Sequence, residues 1–172
     1  MSRFSAILGL AAVIVAPVQA ATVIPAPPAV ENKAYILMDY DSGKILAESN
    51  AHTHLAPASL TKMMTSFIIE QKLLKGTLKE DDKVLMSESA WCRGTSAESC
   101  MYVPLNSYAS VLDMLRGVII QSGNDASKAL AEHVAGSETA FAEVMNGEAQ
   151  RLGMKDTHFA NATGLSDPNH YS

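Results

Sequence analysis

Apolar residues recur along this chain in two rhythms. Between positions 34 and 49, "AYILMDYDSGKILAES" sets two short apolar runs on either side of Asp41-Ser42-Gly43. Short runs split by a turn signal predict a β-hairpin, with Gly43 supplying the positive φ. From Leu60 to Leu74 the spacing changes: Leu60, Met63, Met64, Phe67, Ile68, Ile69 and Leu73 cover most of a helix circumference, and Gly76 stops the run. A helix apolar on nearly all sides is expected to be buried.

Residues 76 to 107 show weak periodicity and many small or polar positions, which predicts loops and short helices around Trp91. Three helices are expected next, at about Ser110–Gln121, Asp125–Ala135 and Ser137–Leu152. The first carries Val111, Leu112, Leu115, Val118 and Ile119 on one side, and Gly123, Gly136, Ser137 and Gly153 mark the boundaries. A hairpin followed by a run of helices gives the fold class α/β in the mixed, α+β sense: an antiparallel sheet with helices, incomplete at its carboxy end because the strands are too few.

The chain has 172 residues, 48% of them hydrophobic, enough for one domain with a core. Its formal charge of -5 carries no basic stripe, which argues against nucleic acid as a partner. The first twenty residues, "MSRFSAILGLAAVIVAPVQA", pair an early Arg3 with an apolar run and a small-x-small ending at Val18-Gln19-Ala20, the layout of a secretory signal peptide cut after Ala20. Residues 21–31, "ATVIPAPPAVE", read as a proline-rich lead-in, and the domain is expected over 32–172. In an exported chain Cys92 and Cys100 meet an oxidising compartment. Their spacing permits a small disulfide loop, while two separate thiols remain the alternative. His52 and His54 have no third ligand at metal spacing and read as part of a solvated loop.

Lys62 has the wrong sign for its place. It stands three residues after Ser59, at the predicted first turn of a helix, where the macrodipole favours an acidic side chain. If the helix starts at Ser59, the two side chains share one face and the ammonium reaches the hydroxyl. A buried lysine with a lowered pKa can act as the base that a serine nucleophile requires. The bland alternative is an N-cap serine and a lysine that snorkels to water. A second stretch, Ser122-Gly123-Asn124, lies between two predicted helices, and caps explain Gly123 and Asn124 or Asp125 without giving Ser122 any task. As chemistry, Ser122 would pass a proton to a leaving nitrogen, and the Asn124 amide would hold a substrate carbonyl and the lysine.

Ser59-Leu60-Thr61-Lys62 followed by Ser122-Gly123-Asn124 resembles the first two of three motifs of the penicillin-recognising serine enzymes. The flanking text "APASLTKMMTSFII", "MLRGVIIQSGNDA", "GSETAFAEVMN" and "LGMKDTHFANATGL" resembles the D-alanyl-D-alanine carboxypeptidases among the low-molecular-weight penicillin-binding proteins, over about residues 32–172.

The resemblance implies a β-lactamase/transpeptidase-like fold and a serine-type carboxypeptidase that removes the terminal D-alanine from peptidoglycan stem peptides. Ser59, Lys62 and Ser122 would be catalytic and Asn124 substrate-binding. It implies no metal or organic cofactor. The implied partners are a stem pentapeptide ending in D-Ala-D-Ala and β-lactam antibiotics as covalent inhibitors, and the implied location is the periplasm or the outer face of the cytoplasmic membrane.

Lys-Thr-Gly, the third motif, does not occur in these residues. The sequence is therefore expected to be an amino-terminal fragment, without the closing strands and the membrane-associating tail that many relatives carry. Two alternatives follow: a β-lactamase of the same fold, disfavoured because Gly123 follows Ser122 where the commonest β-lactamases carry Asp, and a catalytically inactive fragment.

Overall fold

The computed structural model describes residues 26, 29–94 and 98–172. The predicted signal peptide and most of the proline-rich lead-in lie outside the described residues. The chain divides into two compact units after Ser49.

In the first unit β1 (Tyr35–Met38) pairs antiparallel with β2 (Ile45–Ser49), with a register shift between Leu37 and Met38. The turn forms where the sequence places it. Asp39 exchanges backbone hydrogen bonds with Gly43 and Lys44, and its carboxylate accepts from the Ser42 backbone N–H at 2.9 Å and from the Ser42 hydroxyl. Gly43 adopts φ +68°, a conformation that a side chain would disfavour.

The second unit is mostly helical. A 3-10 turn, Ala58–Leu60, leads into α1 (Thr61–Leu74), and β3 (Lys83–Leu85) pairs antiparallel with β4 (Tyr108–Ser110). Three helices complete it: α2 (Val111–Gln121), α3 (Asn124–Ala135) and α4 (Glu138–Arg151). Ser110 caps α2 by accepting from the Asp113 N–H at 3.1 Å while its hydroxyl donates to the Asp113 carboxylate at 2.7 Å. Gly136 ends α3 at φ +83°, and Ser137 caps α4 through the Ala140 N–H at 3.1 Å.

The core packs Ile69 of α1, Val84 and Met86 around β3, Val111 and Met114 of α2, Leu130 of α3, and Phe141 and Met145 of α4, all fully buried. Full burial of such side chains stabilises a fold by about 1.5–3 kcal/mol each before entropy is counted. Residues 76–107 differ from expectation. Among the described residues they form no helix but strand β3, turns and a loop closed by a disulfide between Cys92 and Cys100, with Cα atoms 6.2 Å apart. Asp125 ties down the residues after Cys100: its buried carboxylate accepts from the N–H groups of Met101 and Tyr102 at 2.8 Å each.

The burial of α1 is also not what its apolar spacing suggests. Leu60 and Met63 are 68% and 71% exposed, whereas Thr61, Lys62, Thr65 and Ser66 lie inside beside Met64, Ile68 and Ile69. The inward polar side chains are held by hydrogen bonds to the segment after α4. Thr65 Oγ1 donates to the Ala162 carbonyl at 2.8 Å and Thr61 Oγ1 pairs with His170 Nε2 at 2.7 Å. Hydrogen-bonded partners make the burial of these groups tolerable.

Candidate active site

Two backbone conformations set the site. Ser59 lies within the 3-10 turn, and the α-helix proper begins two residues later at Thr61, so Ser59 is not the α-helical start that its spacing suggests. The preceding Ala58 is held at φ +47°, and Ser122, the C-cap of α2, at φ +54°. A left-handed conformation costs a residue with a side chain about 1–2 kcal/mol, and such outliers persist where the surroundings impose them. Here they present two hydroxyls to each other: Ser122 Oγ donates to Ser59 Oγ at 3.0 Å.

Ser122 thus takes the left-handed cap that the sequence suggested for Gly123. Gly123 instead caps α3 with extended backbone in a crowded place: a Cβ there would meet Asp125 Oδ1, the Gly117 carbonyl and the Met101 nitrogen at 3.1–3.2 Å.

Lys62 approaches the same hydroxyl from the first turn of α1. Its Nζ lies 3.3 Å from Ser59 Oγ and donates to the Thr163 carbonyl oxygen at 2.7 Å. With only 5% of the residue exposed, desolvation lowers its pKa from the ordinary lysine range to about 8, against the opposing pull of the Glu98 carboxylate. Glu98 is itself 3.9 Å from the Lys128 ammonium. A lysine poised near 8 is neutral often enough at physiological pH to accept a serine proton.

Asn124 is buried as the first residue of α3, and its backbone N–H donates to the Ser99 carbonyl at 2.8 Å. Lys62 Nζ bonds to Ser59 and Thr163 rather than to the Asn124 amide. The structure therefore joins Ser59, Lys62 and Ser122 directly and sets Asn124 two residues beyond Ser122. Cys92, Glu98 and Cys100 form the one group at metal-ligand separation among the described residues, and both of its sulfurs are in the disulfide.

Residues 21–172 match the D-alanyl-D-alanine carboxypeptidase family. The chain belongs to that family. D-alanyl-D-alanine carboxypeptidase DacA of Haemophilus influenzae is 47% identical over 146 residues, covering 85% of this chain and 37% of the relative. Penicillin binding protein 5 of the same organism superposes with a TM-score of 0.82 at 47% identity, over 86% of this chain and 43% of that one. Penicillin-Binding Protein D2 of Listeria monocytogenes, solved in an ampicillin-bound form, matches with a TM-score of 0.68 at 29% identity, over 80% of this chain and 54% of that one. The fold is thus that of the penicillin-binding proteins, as the paired motifs imply. The chain spans little more than a third of the length of its curated relative.

One member of the site is not visible in the sequence. The Thr163 carbonyl that holds Lys62 lies 101 residues away in the chain, and a backbone oxygen carries no residue-type signal. Gly164 does carry one: at φ +85° a Cβ would overlap the Ala58 carbonyl oxygen, so only glycine lets residues 161–164 close over the turn that bears Ser59.

Proposed function

We propose that this protein is a serine-type D-Ala-D-Ala carboxypeptidase acting on peptidoglycan stem peptides outside the cytoplasmic membrane. The observation that carries the reading is the convergence of Lys62 Nζ and Ser122 Oγ on Ser59 Oγ, at 3.3 and 3.0 Å. Because the chain spans only part of its relatives, the reading is made for the gene product as a whole.

In this mechanism neutral Lys62 accepts the Ser59 proton as Ser59 Oγ attacks the carbonyl between the two terminal D-alanines. The Ser59 backbone N–H supplies one donor to the resulting oxyanion. Ser122, hydrogen-bonded to Ser59, gives its proton to the nitrogen of the departing D-alanine and takes up in its place the proton that Lys62 accepted, while the Asn124 amide holds the peptide. Water then hydrolyses the acyl-enzyme and returns a proton to Ser59. A β-lactam presents a similar carbonyl and would stop at the acyl stage. The leader-like residues 1–20 support export.

The β-lactamase alternative is not favoured, since the family that residues 21–172 match is that of the D-alanyl-D-alanine carboxypeptidases. The test is release of free D-alanine from a peptide ending in D-Ala-D-Ala by the full-length protein. Release that disappears in Ser59→Ala is expected, and absence of release from the wild type would overturn the reading.

A further inference from the structure

The sequence Asn161-Ala162-Thr163-Gly164 packs against the turn that bears Ser59 and against Lys62, and its inward-facing polar groups are paired. Ala162 N–H donates to Glu138 Oε1 at 3.0 Å, and the Ala162 carbonyl accepts from Thr65 Oγ1 at 2.8 Å. The Thr163 carbonyl accepts from Lys62 Nζ at 2.7 Å. What orients that carbonyl is Asn161. Its Oδ1 accepts three times, from Thr163 N–H at 3.1 Å, Thr163 Oγ1 at 2.9 Å and Gly164 N–H at 2.7 Å, while its Nδ2 donates to the Leu165 carbonyl at 2.9 Å. A side-chain oxygen that gathers consecutive N–H groups fixes the peptide planes between them. The plane fixed here carries the Thr163 oxygen.

A neutral lysine has two N–H bonds and one lone pair. If one N–H is committed to the Thr163 oxygen, the remaining freedom of the amine is rotation about that bond, and Ser59 Oγ at 3.3 Å is within reach of the lone pair. Without that anchor the four-carbon stem lets the amine turn to water. We propose that Asn161 is a positioning residue for Lys62: by holding the 161–164 turn through its amide oxygen, it aims the Thr163 carbonyl at the lysine and keeps the amine facing Ser59. The role in acylation rests on the carboxypeptidase reading; the effect on Lys62 itself does not.

The test uses the full-length protein with Asn161→Leu, of similar size without an acceptor, and Asn161→Ser, whose shorter hydroxyl still accepts weakly. Two quantities are read: the titration of Lys62 by the NMR shift of its side-chain carbon next to nitrogen, and the acylation rate by a fluorescent penicillin from pH 6 to 10. The charged groups that face Lys62 include Glu98 from the disulfide loop, with Lys128 against it, and Glu70 of α1, which lines the same cleft, while Glu138 and His170 bond to Ala162 and Thr61 beside it; Glu98 is the one that acts on the lysine.

In Asn161→Leu the Lys62 titration is expected to move from about 8 toward the ordinary lysine range. Acylation is expected to fall by about tenfold to a hundredfold, the scale of a small misplacement of a catalytic group. Asn161→Ser should lie between the two. A folded Asn161→Leu with the wild-type titration and rate would overturn the proposal. If Asn161→Leu does not fold, Asn161→Ser decides: a displaced Lys62 titration supports it, and an unmoved titration and rate despite lower thermal stability overturn it. If the wild type is not acylated at all, the function reading fails and the Lys62 titration alone judges Asn161.

Discussion

Lys62 Nζ is bonded to the Thr163 carbonyl oxygen at 2.7 Å, a shorter contact than the 3.3 Å to Ser59 Oγ three residues before it. The base of the proposed reaction is thus seated by a segment 101 residues downstream, and the local Ser-x-x-Lys spacing only brings it within reach.

The seat has a pH signature. Acylation of Ser59 by a penicillin should rise with pH as Lys62 loses its proton and level off above about 8. Glu98 pulls the other way, so Glu98→Gln should move the rise to lower pH. Stopped-flow acylation across pH 6–10 checks both directions.

Burial of the lysine also affects stability. Between about 8 and 10.5 the unfolded chain holds the Lys62 proton and the folded chain has lost it, so this residue's contribution to stability increases with pH across that window. The total is at most about 3.5 kcal/mol, because each tenfold difference in proton affinity between the folded and unfolded chain is worth about 1.4 kcal/mol. Urea unfolding of wild type and Lys62→Met should show a difference that grows in favour of the wild type from pH 8 to 10.5. A constant difference would contradict the buried-ammonium account.

His170 acts at the acid end. Its Nδ1 accepts the Ala160 N–H at 3.1 Å, so Nε2 carries the proton and donates to Thr61 Oγ1 at 2.7 Å. Burial lowers its pKa below 6.5, with His158 adding to the effect and Asp167 opposing it. As pH falls through 6.5 the unfolded chain takes up a proton first, and stability declines. His170→Gln should flatten the fall of the thermal midpoint below pH 6.5 relative to wild type.

Gly164→Ala should be among the most damaging single-methyl changes. The added carbon would overlap the Ala58 carbonyl and force alanine into φ +85°. Overpacking and the left-handed conformation together cost about 3 kcal/mol. Denaturant titration should show that loss, together with a fall in penicillin acylation as the Ser59 turn is displaced.

Removing the disulfide tests the loop that carries Glu98. Closing the Cys92–Cys100 loop stabilises the fold by about 2.5 kcal/mol in the chain-entropy account. The double Cys→Ser variant should unfold at correspondingly lower urea, and an unchanged midpoint would show that the Asp125 bonds to Met101 and Tyr102 hold the loop alone.

Much of this is legible in the sequence where local chemistry decides. The hairpin at Asp41-Ser42-Gly43 and the helices bounded by Ser110, Gly136 and Ser137 follow from turn and cap residues that act within four positions. Ser59, Lys62 and Ser122 stand out by motif, and their meeting needs the fold. The burial of α1 departs from its pattern because spacing counts Leu60 and Met63 as core residues, whereas long-range bonds to 160–170 draw Thr61, Lys62 and Thr65 inward instead. Around Cys92, Cys100, Met101 and Tyr102 the chain is held by a disulfide and one buried carboxylate, and neither leaves a periodic trace in the sequence.

In the proposed reaction Ser59 is the nucleophile and Lys62 its base. The most direct measurement of these roles is intact mass and peptide mapping of the full-length protein after brief exposure to a penicillin, for wild type, Ser59→Ala and Lys62→Ala. One adduct is expected on the peptide containing Ser59, none in Ser59→Ala and almost none in Lys62→Ala at about pH 8. A wild-type protein that stays unmodified, or an adduct that persists in Ser59→Ala, would contradict them.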